Sequence, residues 1–396
     1  MAEQTSANLL PESAEVVRTF KEATSYVLRG QFDLAEQTLE ALLTLYGDSL
    51  SSLYCLSLAQ ARRVNFDIAI ELLERVIDAA QDWFDGYNNL AASLAALGRH
   101  EQAIAFYKRA LKIRFDNAET HRGLGAELMS VERAEEAVEQ FQAAIEIAPQ
   151  CAESRFGLAN VFEALGSDEE AFRHYAEALA IDPNHAEASN KLGIAFAKFG
   201  CYHAAVERYR RAIAIRPGYA DAFNNLAVAV LRLGRPDEAK RYCMRALVLS
   251  PDCAEINNNL GGIYQALGEP SLAVPYLERA LLLNPDLAEA HNNLGNALLL
   301  LGRSEEAIAH YECAIAVNPD CCEALENSQA ARKAANRPPN AASDRPDADV
   351  SDRPKCVTPR RRLPRHLAGR ARSPRLRPDG ERSLPYVKAP SLQPSL

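Results

Sequence analysis

Apolar residues recur along this chain at three- and four-residue spacing, and the pattern restarts every 34 residues. Pro149, Pro183, Pro217, Pro251, Pro285 and Pro319 stand 34 apart. Counting back at the same interval gives nine units filling residues 16–321 with no insertion. Within a unit, apolar positions fall at places 4, 7, 8 and 11, then at 17, 20, 21, 24, 27 and 28. That is the signature of two amphipathic helices, each of about 14 residues and roughly 21 Å long.

Individual places carry the rest of the prediction. Place 20 is alanine in every unit, from Ala35 and Ala69 to Ala273 and Ala307. A side chain that small lets two helices approach closely, and a larger one there would overpack the contact. Place 7 is leucine except at Glu22 in the first, edge unit. Place 15 is glycine except at Val64 and Glu132, which suits a turn that needs φ > 0. Proline at place 32 ends the second helix because it cannot donate the next hydrogen bond. One hairpin of this kind cannot bury its apolar face alone, so the units are expected to stack. The expected organisation is a lead-in over residues 1–15, nine repeats over 16–321, a capping helix over 322–336 and a disordered tail over 337–396.

The unit resembles the tetratricopeptide repeat. The resemblance rests on small residues at place 8 (Ala23, Gly125, Gly193, Gly261, Gly295) and aromatic residues at place 24 (Tyr107, Phe141, Tyr175, Tyr209, Tyr311). Alanine at places 20 and 27 and proline at 32 complete it. It implies an all-α, right-handed superhelical solenoid whose first helices line a concave groove that holds a segment of another protein. The units are also similar to the repeat region of the protein O-GlcNAc transferases. Those enzymes carry a catalytic domain after the repeats, whereas 61 Pro/Arg-rich residues follow here, so the similarity extends to the repeats alone.

Places 2, 6, 9 and 13 form one stripe on the first helix, and it is neither apolar nor crowded with long charged side chains. Place 6 holds Asn89, Asn225, Asn259 and Asn293, and place 9 holds Asn160 and Asn296. Place 5 adds Asn88, Asn190, Asn224, Asn258 and Asn292. Asparagine is a mediocre helix former, so its recurrence inside helices calls for a reason. A carboxamide donates and accepts at once, and a ladder of them can bond the backbone of an extended peptide whatever its side chains. The competing reading is that the place 5 and 6 asparagines bond neighbouring repeats. Place 2 is acidic from the third unit on: Asp85, Glu119, Glu153, Glu187, Asp221, Glu255 and Glu289. Those carboxylates would repel a carboxylate ligand and favour a neutral or basic segment. They also sit where acids complement the helix dipole, and the two roles are compatible.

Charge divides the chain. Residues 1–335 have a net charge of −17 and residues 336–396 one of +8, within a total of −9. The tail cannot pack a core. It stands as an electrostatic arm for nucleic acid or an anionic surface, as a self-binding segment, or as an inert or out-of-frame extension. Elsewhere the acidic balance argues against nucleic-acid binding. Nine cysteines without a CxxC pair argue against a disulfide framework or a zinc cluster and suit a reducing compartment. No basic, apolar leader is visible and no apolar run could span a bilayer, so a cytoplasmic location is expected. The sequence holds no phosphate loop, nucleophile elbow or HExxH helix. Acid pairs such as Glu135/Glu136 open second helices, where dipole complementation explains them. The eight histidines gather nowhere in the sequence. The expectation is therefore a non-enzymatic scaffold, without metal or cofactor, that docks other proteins in its groove. Self-association through terminal helices stays open. The rival is a substrate-recruiting subunit or truncated form of a glycosyltransferase.

Overall fold

The computed structural model describes residues 14–46 and 49–335. The tail expected over 337–396 and nearly all of the lead-in lie outside the described residues, which show helices joined by turns. Repeat one is α1 (Ala14–Leu28) and α2 (Phe32–Tyr46), repeat two α3 (Leu50–Arg62) and α4 (Phe66–Ala79), and repeat three α5 (Phe84–Ala96) and α6 (His100–Ile113). Next come α7 (Ala118–Ser130) with α8 (Ala134–Ile147), α9 (Ala152–Ala164) with α10 (Asp168–Ile181), and α11 (Ala186–Lys198) with α12 (Tyr202–Ile215). Repeats seven to nine are α13 (Ala220–Arg232) with α14 (Pro236–Leu249), α15 (Ala254–Ala266) with α16 (Pro270–Leu283), and α17 (Ala288–Leu300) with α18 (Ser304–Val317). A last helix, α19 (Cys322–Ala335), packs on α18.

Each helix packs on the next, which makes the chain an all-α solenoid of helix pairs. From repeat three on, the first helix covers places 1–13 and the second places 17–30. In repeats four to nine the second helix stops two residues before proline. Its closing bond runs from place 31 back to the alanine carbonyl at place 27, as in Ala148 to Ala144 at 2.9 Å.

The turn at place 15 needs a left-handed residue. Gly98 has φ 70°, and beyond it the Arg99 N–H reaches back to the Leu94 carbonyl at 2.9 Å. That six-to-one bond closes the helix end. Val64 and Glu132 adopt the same conformation without glycine, at φ 67° and 59°. Packing of the flanking helices imposes the turn, and these side chains bear the strain.

The core runs between paired helices. The place 20 alanines are buried throughout. Place 8 is small because place 24 lies against it: a Cβ on Gly295 would fall 2.6 Å from the Tyr311 ring, and one on Gly193 the same distance from Tyr209.

Candidate functional site

First helices of successive repeats approach one another, α13 with α15, α15 with α17 and α17 with α19, and second helices do not approach each other comparably. In a curved stack the layer that closes up is the inner one, so the first helices form the inner wall. The asparagines lie along it. Place 6 of one repeat donates Nδ2–H to the place 5 carboxamide oxygen of the repeat before: Asn225 to Asn190 at 3.2 Å, Asn259 to Asn224 at 2.9 Å, and Asn293 to Asn258 at 2.9 Å. Asn327 of α19 donates to Asn292 at 3.1 Å and to Asn296 at 3.0 Å. In repeat three, Asn89 donates to the Tyr54 hydroxyl at 2.7 Å.

The relay divides labour between the two places. Asn258 and Asn292 are 2% and 3% exposed. The place 6 asparagines are half-buried, and the Oδ1 atoms of Asn89, Asn225, Asn259 and Asn293 accept no hydrogen bond among the described residues. Each therefore uses one donor to tie repeats together and keeps an acceptor open on the inner wall. The two readings of the asparagine ladder are thus both physically available to the same side chains.

Place 9 behaves differently. The Tyr175 hydroxyl lies 2.7 Å from Asn160 Oδ1, and the Tyr311 hydroxyl lies 2.7 Å from Asn296 Oδ1. Asn160 and Asn296 give their Oδ1 to the tyrosine of their own repeat, and their Nδ2 groups take no partner among the described residues. Burial pushes the Tyr311 hydroxyl up to about 12, so it stays protonated as a donor. Tyr175 is also 2.7 Å from Glu163, which takes Lys191 Nζ at 2.8 Å. Burial alone would raise the Glu163 carboxyl, but the Lys191 and Tyr175 hydrogen bonds carry it below its ordinary value. Lys191 occupies place 6 of repeat six, where repeats seven to nine carry asparagine.

The ladder is absent from repeats four and five. Place 6 there is Gly123 and Gly157. A Cβ on Gly123 would meet the Tyr107 ring at 2.8 Å, and one on Gly157 would meet Phe141 at 2.2 Å. The aromatic residue of the preceding repeat fills the space an asparagine would need.

The place 2 acids open their helices as expected. Glu119 sits 4.0 Å from Arg122, Glu187 takes Arg216 at 2.7 Å, and Glu153 accepts from the Cys151 thiol at 3.4 Å. Glu255 accepts from the Cys253 thiol at 3.1 Å. Asp85, Asp221, Glu255 and Glu289 form no ion pair among the described residues. The row is thus partly neutralised through repeat six and unpaired beyond it.

Three participants escape the sequence reading. Asn327 continues the ladder into the capping helix, and extending the 34-residue count beyond 321 would have found it. Tyr54 accepts where an asparagine would, and Lys191 substitutes a cation for a carboxamide. No periodic signal marks either one. Among the described residues no cluster of three or more His, Cys, Asp or Glu side chains is placed to hold a metal ion, and no helix is long and apolar enough to cross a membrane.

A solenoid of helix pairs with a 34-residue period and these small-residue contacts defines a helical repeat protein. Tetratricopeptide repeat models match residues 20–82, 84–150, 123–186, 199–234, 218–283 and 252–320. The chain belongs to the tetratricopeptide repeat family. Among solved structures it is similar to the Cut9–Hcn1 hetero-tetramer of the APC/C, at 21% identity and TM-score 0.55. That match covers 75% of this chain but only 58% of the other, so this chain spans little more than half of its length. A tetratricopeptide repeat protein from Parabacteroides merdae matches at 17% identity and TM-score 0.51, over 64% of this chain and 100% of that one. The peptide-binding repeat protein YrrB is 24% identical over 48% of this chain and 99% of that one, at TM-score 0.40. The first two likenesses describe the fold. Among curated proteins, none matches the sequence.

Proposed function

We propose that this chain is a protein-interaction scaffold whose inner wall, from repeat six to the capping helix, holds an extended segment of a partner protein. The observation that carries the proposal is the row of open carboxamide oxygens at Asn225, Asn259 and Asn293, one per repeat, on side chains already fixed by their Nδ2 bonds. Acceptors held rigid in this way bind backbone N–H groups at reduced entropic cost. First helices 8–10 Å apart over four steps span a segment of about a dozen extended residues. Asp221, Glu255 and Glu289, unpaired at the head of the same helices, favour lysine or arginine on that segment.

The test separates the two duties of the ladder. A displayed library of random peptides of about 15 residues, long enough for that span, is selected on the full chain. The selected peptides are then measured against two triple variants. Asn225, Asn259 and Asn293 to alanine removes the open acceptors and the relay together. Asn190, Asn224 and Asn258 to alanine removes the relay and leaves those acceptors in place. Basic, extended peptides that bind the second variant and not the first are the expected outcome. Peptides bound equally by wild type and the first variant would exclude the ladder from recognition.

A further inference from the structure

Repeat nine is the single unit of the nine with histidine at both place 4 and place 23. His291 on α17 and His310 on α18 bring their Nδ1 atoms to 3.1 Å, with ring centroids 5.3 Å apart and planes tilted by 30°. His291 Nε2 lies 3.0 Å from the Pro285 carbonyl in the turn from repeat eight. A carbonyl only accepts, so Nε2 carries the proton and the neutral ring turns its Nδ1 lone pair toward His310. Both rings are half-buried and reachable from solvent.

Two other repeats of this chain show what place 4 ordinarily does. His121 Nε2 lies 2.9 Å from the Phe115 carbonyl, and its Nδ1 meets the Gln140 side-chain amide at 2.9 Å. Asn257 donates to the Pro251 carbonyl at 3.3 Å. The tie to the preceding turn is thus a recurring structural duty, and an amide at place 23 satisfies it. A second imidazole is not required for that duty.

We propose that His291 and His310 form a two-nitrogen site for a divalent first-row transition ion of the nickel, copper or zinc type. Two imidazole nitrogens bound to one such ion at 2.0–2.1 Å, with an angle of 90–110° between them, stand about 2.9–3.4 Å apart, and the observed separation falls inside that range. The rings face each other nearly head-on across a hydrogen bond that His310 Nδ1–H donates to His291; with that proton moved to His310 Nε2, a turn of roughly 40° of each ring about the broad terminal torsion of histidine brings both lone pairs onto one ion. Imidazole suits these metals, and an orienting carbonyl on the far nitrogen is the usual partner of a ligating histidine. Burial, and then the neighbouring His291, hold the His310 imidazole below its ordinary pKa, so it is neutral and competent to ligate near neutral pH. The Glu306 and Glu278 carboxylates act on His310 and favour a cation. Arg303, which opposes one, is engaged by Glu306 at 2.6 and 2.7 Å. Water completes the coordination. An ion there clamps the two helices of repeat nine together.

Nickel is the probe, and the full chain is the protein tested. His310→Gln recreates the His121–Gln140 pair of repeat four, and His291→Asn recreates the Asn257 tie of repeat eight, so both variants borrow arrangements this fold already uses. Equilibrium dialysis at about pH 7.5 should show one Ni²⁺ more on wild type than on either variant, or binding weaker in the variants by at least about tenfold. The difference should vanish at about pH 5.5, where protons compete for the imidazoles. Melting of the metal-free proteins should coincide. Equal Ni²⁺ uptake by wild type and both variants, or no uptake by wild type, would overturn the proposal.

Discussion

Repeats four and five and repeats six to nine share one helical frame but close their inner wall differently. In repeats seven to nine a carboxamide at place 6 reaches the repeat before it, in repeat six Lys191 does so through Glu163, and the seam is polar and directional. In the earlier pair place 6 is Gly123 or Gly157, and the rings of Tyr107 and Phe141 occupy the seam. The contrast shows that the solenoid does not depend on asparagine. A ring packed on glycine also joins repeats. The carboxamides add a hydrogen bond to the preceding repeat and an acceptor that takes no partner among the described residues.

The sharpest way to break the contrast is to put a side chain where the ring lies. Gly157→Ala places a methyl 2.2 Å from a Phe141 ring carbon. It should destabilise the chain by about 3 kcal/mol, the upper range for overpacking, read as a lowered urea midpoint. Gly262→Ala is the control. Nothing lies within 4 Å of its Cβ position, and it sits inside α15. It should be neutral or stabilising by about 0.5–1 kcal/mol, from helix propensity alone. Equal effects at the two sites would mean that the ring does not fill the seam.

A smaller effect is expected in the polar seam. Asn258→Ala deletes the buried acceptor for Asn293 and should cost about 1–2 kcal/mol. The loss is moderate because Asn293 is half-buried and water can take over its donor. A double-mutant cycle with Asn293→Ala measures the link itself. Coupling near zero would remove the relay as a stabilising feature.

Most of the frame was legible from single places in the unit. Alanine at place 20, small residues at place 8 and the turn at place 15 are each local requirements repeated nine times, so the period displays them. The wall was legible only in part. The sequence located Asn225, Asn259 and Asn293 on one stripe. It did not decide how their donors and acceptors are shared, because the partner lies one repeat away at a different place, 35 residues earlier in the chain. Asn160 and Asn296 illustrate the same limit. Their stripe position matched a groove role, while the bond to Tyr175 or Tyr311 depends on a helix-to-helix contact. Lys191 was hidden because it departs from the period, and a departure shows no mechanism until its partner Glu163 is seen.

The turn residue sharpens the comparison further. Repeats six to nine all turn on glycine, at Gly200, Gly234, Gly268 and Gly302, while repeat four turns on Glu132 at φ 59°. Glu132→Gly should relieve a left-handed strain of about 1–2 kcal/mol and give back part of it as lost chain stiffness, for a net gain of about 1 kcal/mol. A raised melting temperature checks it. No change would mean that the Glu132 backbone is unstrained and that the two regions turn alike.

The two regions can also be compared in their response to acid. His174 of repeat five is buried and stacked on Phe162 at 5.5 Å, with Nδ1 2.9 Å from Glu177. Burial lowers its pKa in spite of Glu177, which raises it, and Arg173 and Arg155 reinforce the lowering. With a folded pKa below the unfolded value of 6.5, the unfolded chain binds more protons as the pH falls. Stability is therefore fully present above the unfolded pKa and drains away as the pH drops through that value toward the folded one. Glu177 also holds Arg155 at 2.6 Å, so the ring cannot simply be expelled without loosening a bridge between α9 and α10. His174→Gln removes the titration while keeping a polar group beside Glu177. Melting at about pH 7 should be nearly unchanged in the variant, and its fall on going to about pH 5 should be shallower than in wild type by less than about 1 kcal/mol. His310 in repeat nine titrates in the same sense, so a residual slope in His174→Gln that disappears in the double variant with His310→Gln assigns one increment to each region. An acid slope identical in wild type and both variants would place it on the carboxylates instead.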